Sequence, residues 1–325
     1  MNPPYGGGWL RLGGSSGPHA WTGARVLAAL QRIGLLAHSA AVRRSATVNP
    51  LLAARLESPA PPVVTTHHGV FDEKRRRILA ETARHAHIVA ISHDQARSAR
   101  GIPIAAVIHH GIDLDLYRSG RGDAGHLLFL GRMSPDKGAH IALRIAHRAG
   151  LPLVLVGKMR EPGEVAYFEE AVRPLLAACD NVVIEPPLEQ RLELLRGASA
   201  LINPISWPEP FGLVMIEALA SGTPVLAFGN GAAPEIVDHG RTGFLASDED
   251  GLAAVVARIP EIERTACRAA AERRFSMERM TRDYERLFRS VLSTGPSTPR
   301  RHTSIERLHR AVPPRSDEQL RDVSP

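Results

Sequence analysis

From residue 127 onward, short runs of β-branched residues and leucine alternate with stretches whose apolar positions recur at helical spacing. Leu127–Leu130, Leu153–Val156, Val182–Ile184, Ala200–Ile202 and Val225–Ala227 are predicted strands. Ala139–Ala149, Glu164–Ala178, Glu189–Arg196 and Gly212–Ala220 are predicted helices between them. A repeated strand, helix, strand order means a parallel sheet with helices on both faces. Further helical patterns run over Gly251–Arg273 and Ser276–Val291.

A weaker signal of the same kind lies upstream. Val63–Thr66, Ile88–Ile91 and Ala105–Ile108 are predicted strands around a charged helix from Asp72 to about Arg84. The stretch His109–Arg121 carries two glycines and no helical period, so it is expected to join two α/β halves. The boundaries that follow are an irregular segment at 1–60, a partial Rossmann-like domain at 61–110 and a linker at 111–121. A second parallel-sheet domain covers 122–275, a terminal helix 276–293, and a Pro- and Arg-bearing disordered tail 294–325. Within 1–60 only Ala24–Val42 has apolar residues at helical spacing.

The length of 325 residues agrees with two domains. The formal charge of +6 belongs to the ends. Residues 1–64 carry six Arg against one Glu, and residues 294–325 six Arg against four acids, so +5 and +2 leave −1 between them. Without a basic face interleaved with aromatics, nucleic acid is excluded as a partner. Cys179 and Cys267 lack disulfide or metal spacing and read as small core residues of a cytoplasmic protein. No run of eighteen apolar residues exists, and Val26–Leu30 is cut short by Gln31 and Arg32, so neither a membrane span nor a signal peptide is expected.

The strongest chemical signal is Glu209-Pro-Phe-Gly-Leu-Val-Met-Ile-Glu217, two acids with seven residues between them where a loop enters a helix. Glu217 is the one polar residue in Leu213–Ala220, so its carboxylate is buried and needs a partner. A vicinal diol such as ribose is one candidate, because both its hydroxyls can donate to a carboxylate. The alternative is a core acid paired with an Arg, with Glu209 a surface cap. Proline at 208 and 210 precedes the helix, which leaves the amides of Phe211, Gly212, Leu213 and Val214 as donors at a positive dipole end suited to an anion.

Strand Leu127–Leu130 runs into Gly131-Arg132-Met-Ser-Pro-Asp-Lys137-Gly138, where Gly138 opens the next helix. Ligands of open parallel sheets sit at the carboxyl ends of strands, so Arg132 and Lys137 are placed to offset a diphosphate. Otherwise they are exposed loop charges. Asn230-Gly-Ala-Ala-Pro-Glu235 adds a small-residue loop on the same edge, followed by Gly240-Arg-Thr-Gly243.

Taken together, GRMSPDKG, EPFGLVMIEALASGTPV and GAAPEIVDHGRTGFL resemble the family 4 glycosyltransferases over about residues 62–290. The resemblance implies the GT-B fold, two Rossmann-like domains facing a cleft, and retaining transfer of a hexose from a nucleotide-sugar donor to an acceptor hydroxyl. Residues 61–110 would then be acceptor-side and 122–275 donor-side. Arg132 and Lys137 would bind the diphosphate with Gly131 beside them, Glu217 the ribose, and Glu209 would orient the transferred sugar. His109-His-Gly-Ile-Asp113 resembles the family's crossing between domains. Val63-Val-Thr-Thr-His-His68 resembles the strand whose final histidine faces the donor sugar, and His68 is taken over His67; a solvated turn histidine is the alternative.

The resemblance implies no cofactor and no metal. Asp113-Leu-Asp115 and Asp248-Glu-Asp250 match a metal-binding signature of another glycosyltransferase fold, but three-residue matches are frequent by chance. The pattern breaks down ahead of residue 62, where Tyr5-Gly-Gly-Gly8 has glycines with no strand before them, so the N-terminal domain is expected to be incomplete. Two alternatives therefore stay open: a nucleotide-sugar binder without turnover, and a glycogen or disaccharide synthase of the same fold. Donor base, sugar and acceptor are not legible. Contact with the inner membrane face through Ala24–Val42 is carried as a minor alternative to a packed helix.

Overall fold

The computed structural model describes residues 62–293. The glycine loop at 5–8, the helical pattern at 24–42 and the tail at 294–325 lie outside the described residues. In the first half, Val63–Thr66 (β1), Glu73–Thr82 (α1), Ala86–Ala90 (β2), His93–Ser98 (α2) and Ile104–Val107 (β3) follow one another. The three strands form a parallel sheet in the order β1-β2-β3.

Helix α1 starts where Asp72 accepts the Arg75 amide at 2.7 Å, and α2 where Ser92 accepts that of Gln95 at 3.0 Å. The buried Gln95 side chain then accepts from the Ile91 amide and donates to the carbonyls of His67 and Gly69. One amide thereby fixes the turn that follows β1. Helix α2 is too short for its period to show in the sequence, and β2 and β3 begin one or two residues earlier than predicted.

The second half contains Leu127–Arg132 (β4), Ala139–Arg148 (α3), Leu153–Lys158 (β5), Pro162–Tyr167 (α4), Asn181–Ile184 (β6), Leu188–Gly197 (α5) and Ala200–Asn203 (β7). Leu213–Ala220 (α6), Val225–Phe228 (β8), Ala233–Ile236 (α7), Gly243–Ala246 (β9), Glu249–Val256 (α8), Arg264–Phe275 (α9) and Met277–Ser293 (α10) complete it. The sheet is parallel throughout, in the order β6-β5-β4-β7-β8-β9. Strands β4, β7 and β8 and the helices on them bury Leu127, Leu128, Leu201, Leu226 and Leu219 completely.

Two predicted helices are interrupted. The helix placed at Glu164–Ala178 is α4 followed by a wide turn over Phe168–Val172 and a tight one over Arg173–Leu175, because Pro174 has no amide to continue the ladder. The pattern over Gly251–Arg273 is two helices, α8 and α9, separated by a tight turn holding Pro260. Strand β9 is four residues long at the sheet edge and went unpredicted. Cys267 is buried as expected, but Cys179 is exposed, in the turn before β6.

The 109–121 segment runs from β3 to β4. Ile112 donates its amide to the Phe275 carbonyl and accepts the Met277 amide. Helix α10 returns to the first sheet, where Tyr284 and Thr66 share a hydroxyl hydrogen bond of 2.7 Å. Arg279 on α10 donates to the carbonyls of His109 and His110 at 2.9 and 2.8 Å.

Candidate active site

The strand order β6-β5-β4-β7-β8-β9 reverses its winding between β4 and β7. In an open α/β sheet that is where two successive loops leave on opposite sides and a ligand crevice opens. Strands β4 and β5 pair over six residues, whereas β4 and β7 pair only at Leu127↔Ala200 and Leu128↔Leu201. The strands therefore part toward their carboxyl ends. Gly131 and Arg132 are the last residues of β4 and the loop after it runs from Met133 to Gly138, while the loop after β7 leads through Trp207 and Glu209 to α6.

Across that gap Lys137 Nζ lies 2.5 Å from Glu209 Oε1, in an ion pair about one-fifth exposed on each side. The same ammonium sits 5.5 Å from the ring centre of Trp207. Gly138 adopts φ +76° with the Pro204 carbonyl where a Cβ would stand, so the two loops touch through backbone. The Glu209 loop is also held from behind, since its carbonyl accepts the Ala232 amide and Gly231 packs against its backbone.

At the start of α6, Gly212 caps the helix in the left-handed region and accepts the Met215 amide. The amides of Leu213 and Val214 meet no acceptor among the described residues, as expected of a helix N-terminus. Phe211 is buried, with the ring of His110 edge-on at 5.0 Å. His110 in turn stacks on His68, 5.2 Å between centres and 5° from parallel. His68 thus reaches the Glu209 loop through two rings and keeps a solvent-exposed face. Desolvation in this crowded setting lowers its pKa, and His67 adds to the effect. His67 instead turns back to the Val70 carbonyl and packs on Phe71.

Two predicted residues stand apart. Arg132 is half exposed, 3.4 Å from Asp136 and 3.8 Å from Glu164, and so pairs with those acids and not with Glu209. Glu217 is only 1% exposed; its Oε1 accepts from the Tyr117 hydroxyl at 3.1 Å and lies 3.8 Å from Arg191. The arginine partner of the core-acid reading therefore exists. Burial, reinforced by the Glu217 charge, raises the Tyr117 pKa and keeps its hydroxyl a donor.

Seven buried side-chain atoms lack a hydrogen-bond partner among the described residues, and five of them belong to the segments around this crevice. They are Ser134 Oγ, Nε and Nη2 of Arg191, Trp207 Nε1 and Glu209 Oε2. Buried polar atoms are rarely left unpaired, so these five have hydrogen-bonding capacity that a polar group could fill. Ser134, Arg191 and Trp207 escaped sequence reasoning. Ser134 and Trp207 lie inside or beside the quoted motifs, while Arg191 sits on an ordinary amphipathic helix and gives no signal.

Residues 124–261 match the family model described as glycosyl transferases group 1. This segment is a group 1 glycosyltransferase domain. It is 34% identical over 200 residues to the D-inositol 3-phosphate glycosyltransferase of Streptomyces avermitilis, an alignment covering 54% of this chain and 41% of that protein. The chain spans under half the length of that curated relative. Among solved structures, HepE of Anabaena in complex with UDP and glucose superposes with a TM-score of 0.66 at 22% identity, covering 80% of this chain and 81% of HepE. AviGT4, a glycosyltransferase involved in avilamycin A biosynthesis, gives 0.65 at 25% identity, covering 86% of this chain and 91% of AviGT4. The α/β architecture of two parallel sheets is the GT-B arrangement of these enzymes. No helix among the described residues is long and apolar enough to cross a membrane.

Proposed function

We propose that the glycosyltransferase domain binds a nucleoside-diphosphate sugar at the switch point between β4 and β7, and that the protein transfers the hexose to an acceptor hydroxyl with retention. The observation that carries this reading is the set of buried polar atoms without a hydrogen-bond partner on the loops and the helix α5 that meet there. All but Trp207 Nε1 have a counterpart in such a donor. Sugar hydroxyls donate to Glu209 Oε2, phosphate oxygens accept from Ser134 and from the amides of Leu213 and Val214, and ribose hydroxyls bridge Arg191 and Glu217. Because Glu217 is closed off by Tyr117 and Arg191, the ribose approaches it along the Arg191 guanidinium.

Lys137 is the cation for the diphosphate, and it exchanges its contact with Glu209 for phosphate oxygens when donor enters. Arg132 then joins from its exposed position, giving up Asp136. As the anomeric C–O bond breaks, the two cations and the α6 amides stabilise the charge gathering on the leaving phosphate. An oxygen of that phosphate takes the acceptor's proton while the acceptor oxygen bonds to the anomeric carbon from the same face. His68 borders the sugar from the opposite sheet, and its lowered pKa makes it a neutral hydrogen-bonding wall at pH 7. The reaction needs no cofactor.

UDP is the favoured nucleotide, given the UDP-bound neighbour, with GDP the alternative. Inositol 3-phosphate heads the list of acceptors, from the relative's name. The test is calorimetry with UDP and GDP, then product formation from UDP- and GDP-hexoses with inositol 3-phosphate, simple hexoses and glucan as acceptors. Transfer to a small acceptor supports the reading. Nucleotide binding without turnover on any acceptor favours a binding protein, and glucan extension favours a synthase of the same fold.

A further inference from the structure

We infer that His93, His109 and Glu235 form a binding site for a transition-metal ion of the zinc class, bridging the two sheets' substructures behind the Glu209 loop. One ligand atom of each lies within 4.8 Å of the other two, and all three residues are partly buried. They come from three segments: the first turn of α2, the crossing after β3, and the short helix α7 ahead of β9. Nothing in the diphosphate chemistry calls for such a convergence.

The donor set is two imidazoles and one carboxylate, which suits zinc and its neighbours better than magnesium or calcium. Three protein ligands with a fourth position left for water is a common zinc arrangement. Metal–nitrogen bonds of about 2.0–2.1 Å need the three atoms to draw together by small side-chain rotations.

The surroundings orient each ligand. Glu235 Oε2 accepts the His93 amide at 2.8 Å and Oε1 the Asp94 amide at 2.7 Å, which fixes the carboxylate plane. His109 is wedged between Phe211 and Phe275, at 5.7 and 6.1 Å between ring centres, and its edge meets His93 at 5.7 Å. In this structure His109 Nε2 lies 2.9 Å from Glu235 Oε2. Metal binding replaces that hydrogen bond, with the imidazole proton on Nδ1 and the Nε2 lone pair on the ion. Two ionised carboxylate oxygens offer about four acceptor directions, so two amides and an ion are accommodated together. A filled site ties α2 and the crossing segment to the helix α7 that follows the loop behind Glu209.

The experiment titrates the chelator-stripped full-length chain with zinc chloride by calorimetry, with no donor or acceptor present. Saturable uptake of a single ion is expected, with a rise in Tm, and cobalt chloride should give the visible absorption of a four- or five-coordinate ion. His93→Ala and Glu235→Gln should each weaken uptake about tenfold or more and abolish the cobalt spectrum. His93 occupies the first turn of a short helix, so its variant is the gentler one if Glu235→Gln disturbs folding. No saturable uptake, or uptake unchanged in folded His93→Ala, overturns the site. Because no sugar transfer is read, failure here leaves the donor-binding proposal standing.

Discussion

Tyr117 donates its hydroxyl to Glu217 Oε1 across 3.1 Å, tying the crossing segment between the sheets to the middle of α6. Both residues are nearly inaccessible, at 4% and 1% exposed. Removing the donor leaves a buried carboxylate oxygen less satisfied, which typically costs about 1–3 kcal/mol. Tyr117→Phe should therefore lower unfolding stability by that amount in a urea titration. Equal stability of the two proteins would mean that Glu217 is compensated by Arg191 alone.

Lys137 and Glu209 are paired to each other before any ligand arrives, so their variants should separate binding from turnover. Lys137→Ala removes a charge-assisted hydrogen bond worth about 1.5–3 kcal/mol, which raises the Kd for UDP about tenfold or more. Glu209→Gln frees the lysine, so UDP binding should hold or tighten while kcat falls on the order of a hundredfold. Parallel losses in both variants would show that the pair acts only as structure.

Gly231 tests whether the Glu209 loop must be placed to within a fraction of an ångström. It has φ +56°, and a Cβ there would stand 2.5 Å from the backbone nitrogen and oxygen of Glu209. Neither atom belongs to a flexible side chain, so Gly231→Ala must push the loop away from Lys137. Transfer should fall far more than Tm does, as expected when a reacting group is displaced by about 1 Å. A Tm loss with undiminished kcat in the folded fraction would contradict this.

Much of the second sheet was legible because its strands are uninterrupted apolar runs and its helices have clear period, and the two motif loops fell at the carboxyl ends of β4 and β7 as a parallel sheet requires. The pairing of Lys137 with Glu209 was not legible, since only the chain reversal between β4 and β7 brings positions 72 residues apart together. Glu235 illustrates the other limit. In sequence it ends a small-residue loop, yet in the fold it holds the first turn of α2, a six-residue helix without a readable pattern. Helix breaks at Pro174 and Pro260 were visible as letters, but apolar period on either side outweighed them.

The two cysteines should differ sharply in reactivity. Cys267 is fully buried on α9, and desolvation pushes its thiol up to about 12, while Cys179 is exposed. Since the thiolate is the nucleophile, N-ethylmaleimide should label Cys179 in the native protein and reach Cys267 only after denaturation. Peptide mapping by mass spectrometry distinguishes them, and rapid native labelling of Cys267 would mean that α9 opens locally.

Asp180 gives a pH signature to the second sheet. Its side chain is 0% exposed and accepts the Leu153 amide at 2.9 Å, the Ala177 amide at 2.8 Å and His147 Nε2 at 2.7 Å. Burial alone would raise its pKa, but these donors outweigh it and hold the carboxyl below the usual aspartate value. A depressed folded pKa adds stability that is complete above the unfolded value, about 3.9, and is lost as pH falls through the folded one. Asp180→Asn lacks that contribution and also leaves one amide facing an NH2 group. Its deficit against the wild type should be about 1–3 kcal/mol near neutral pH and should shrink as pH drops below about 4. Urea titrations of both proteins across that range measure the gap; a deficit that stays constant down to acid would mean the carboxylate's charge contributes nothing and only its shape matters.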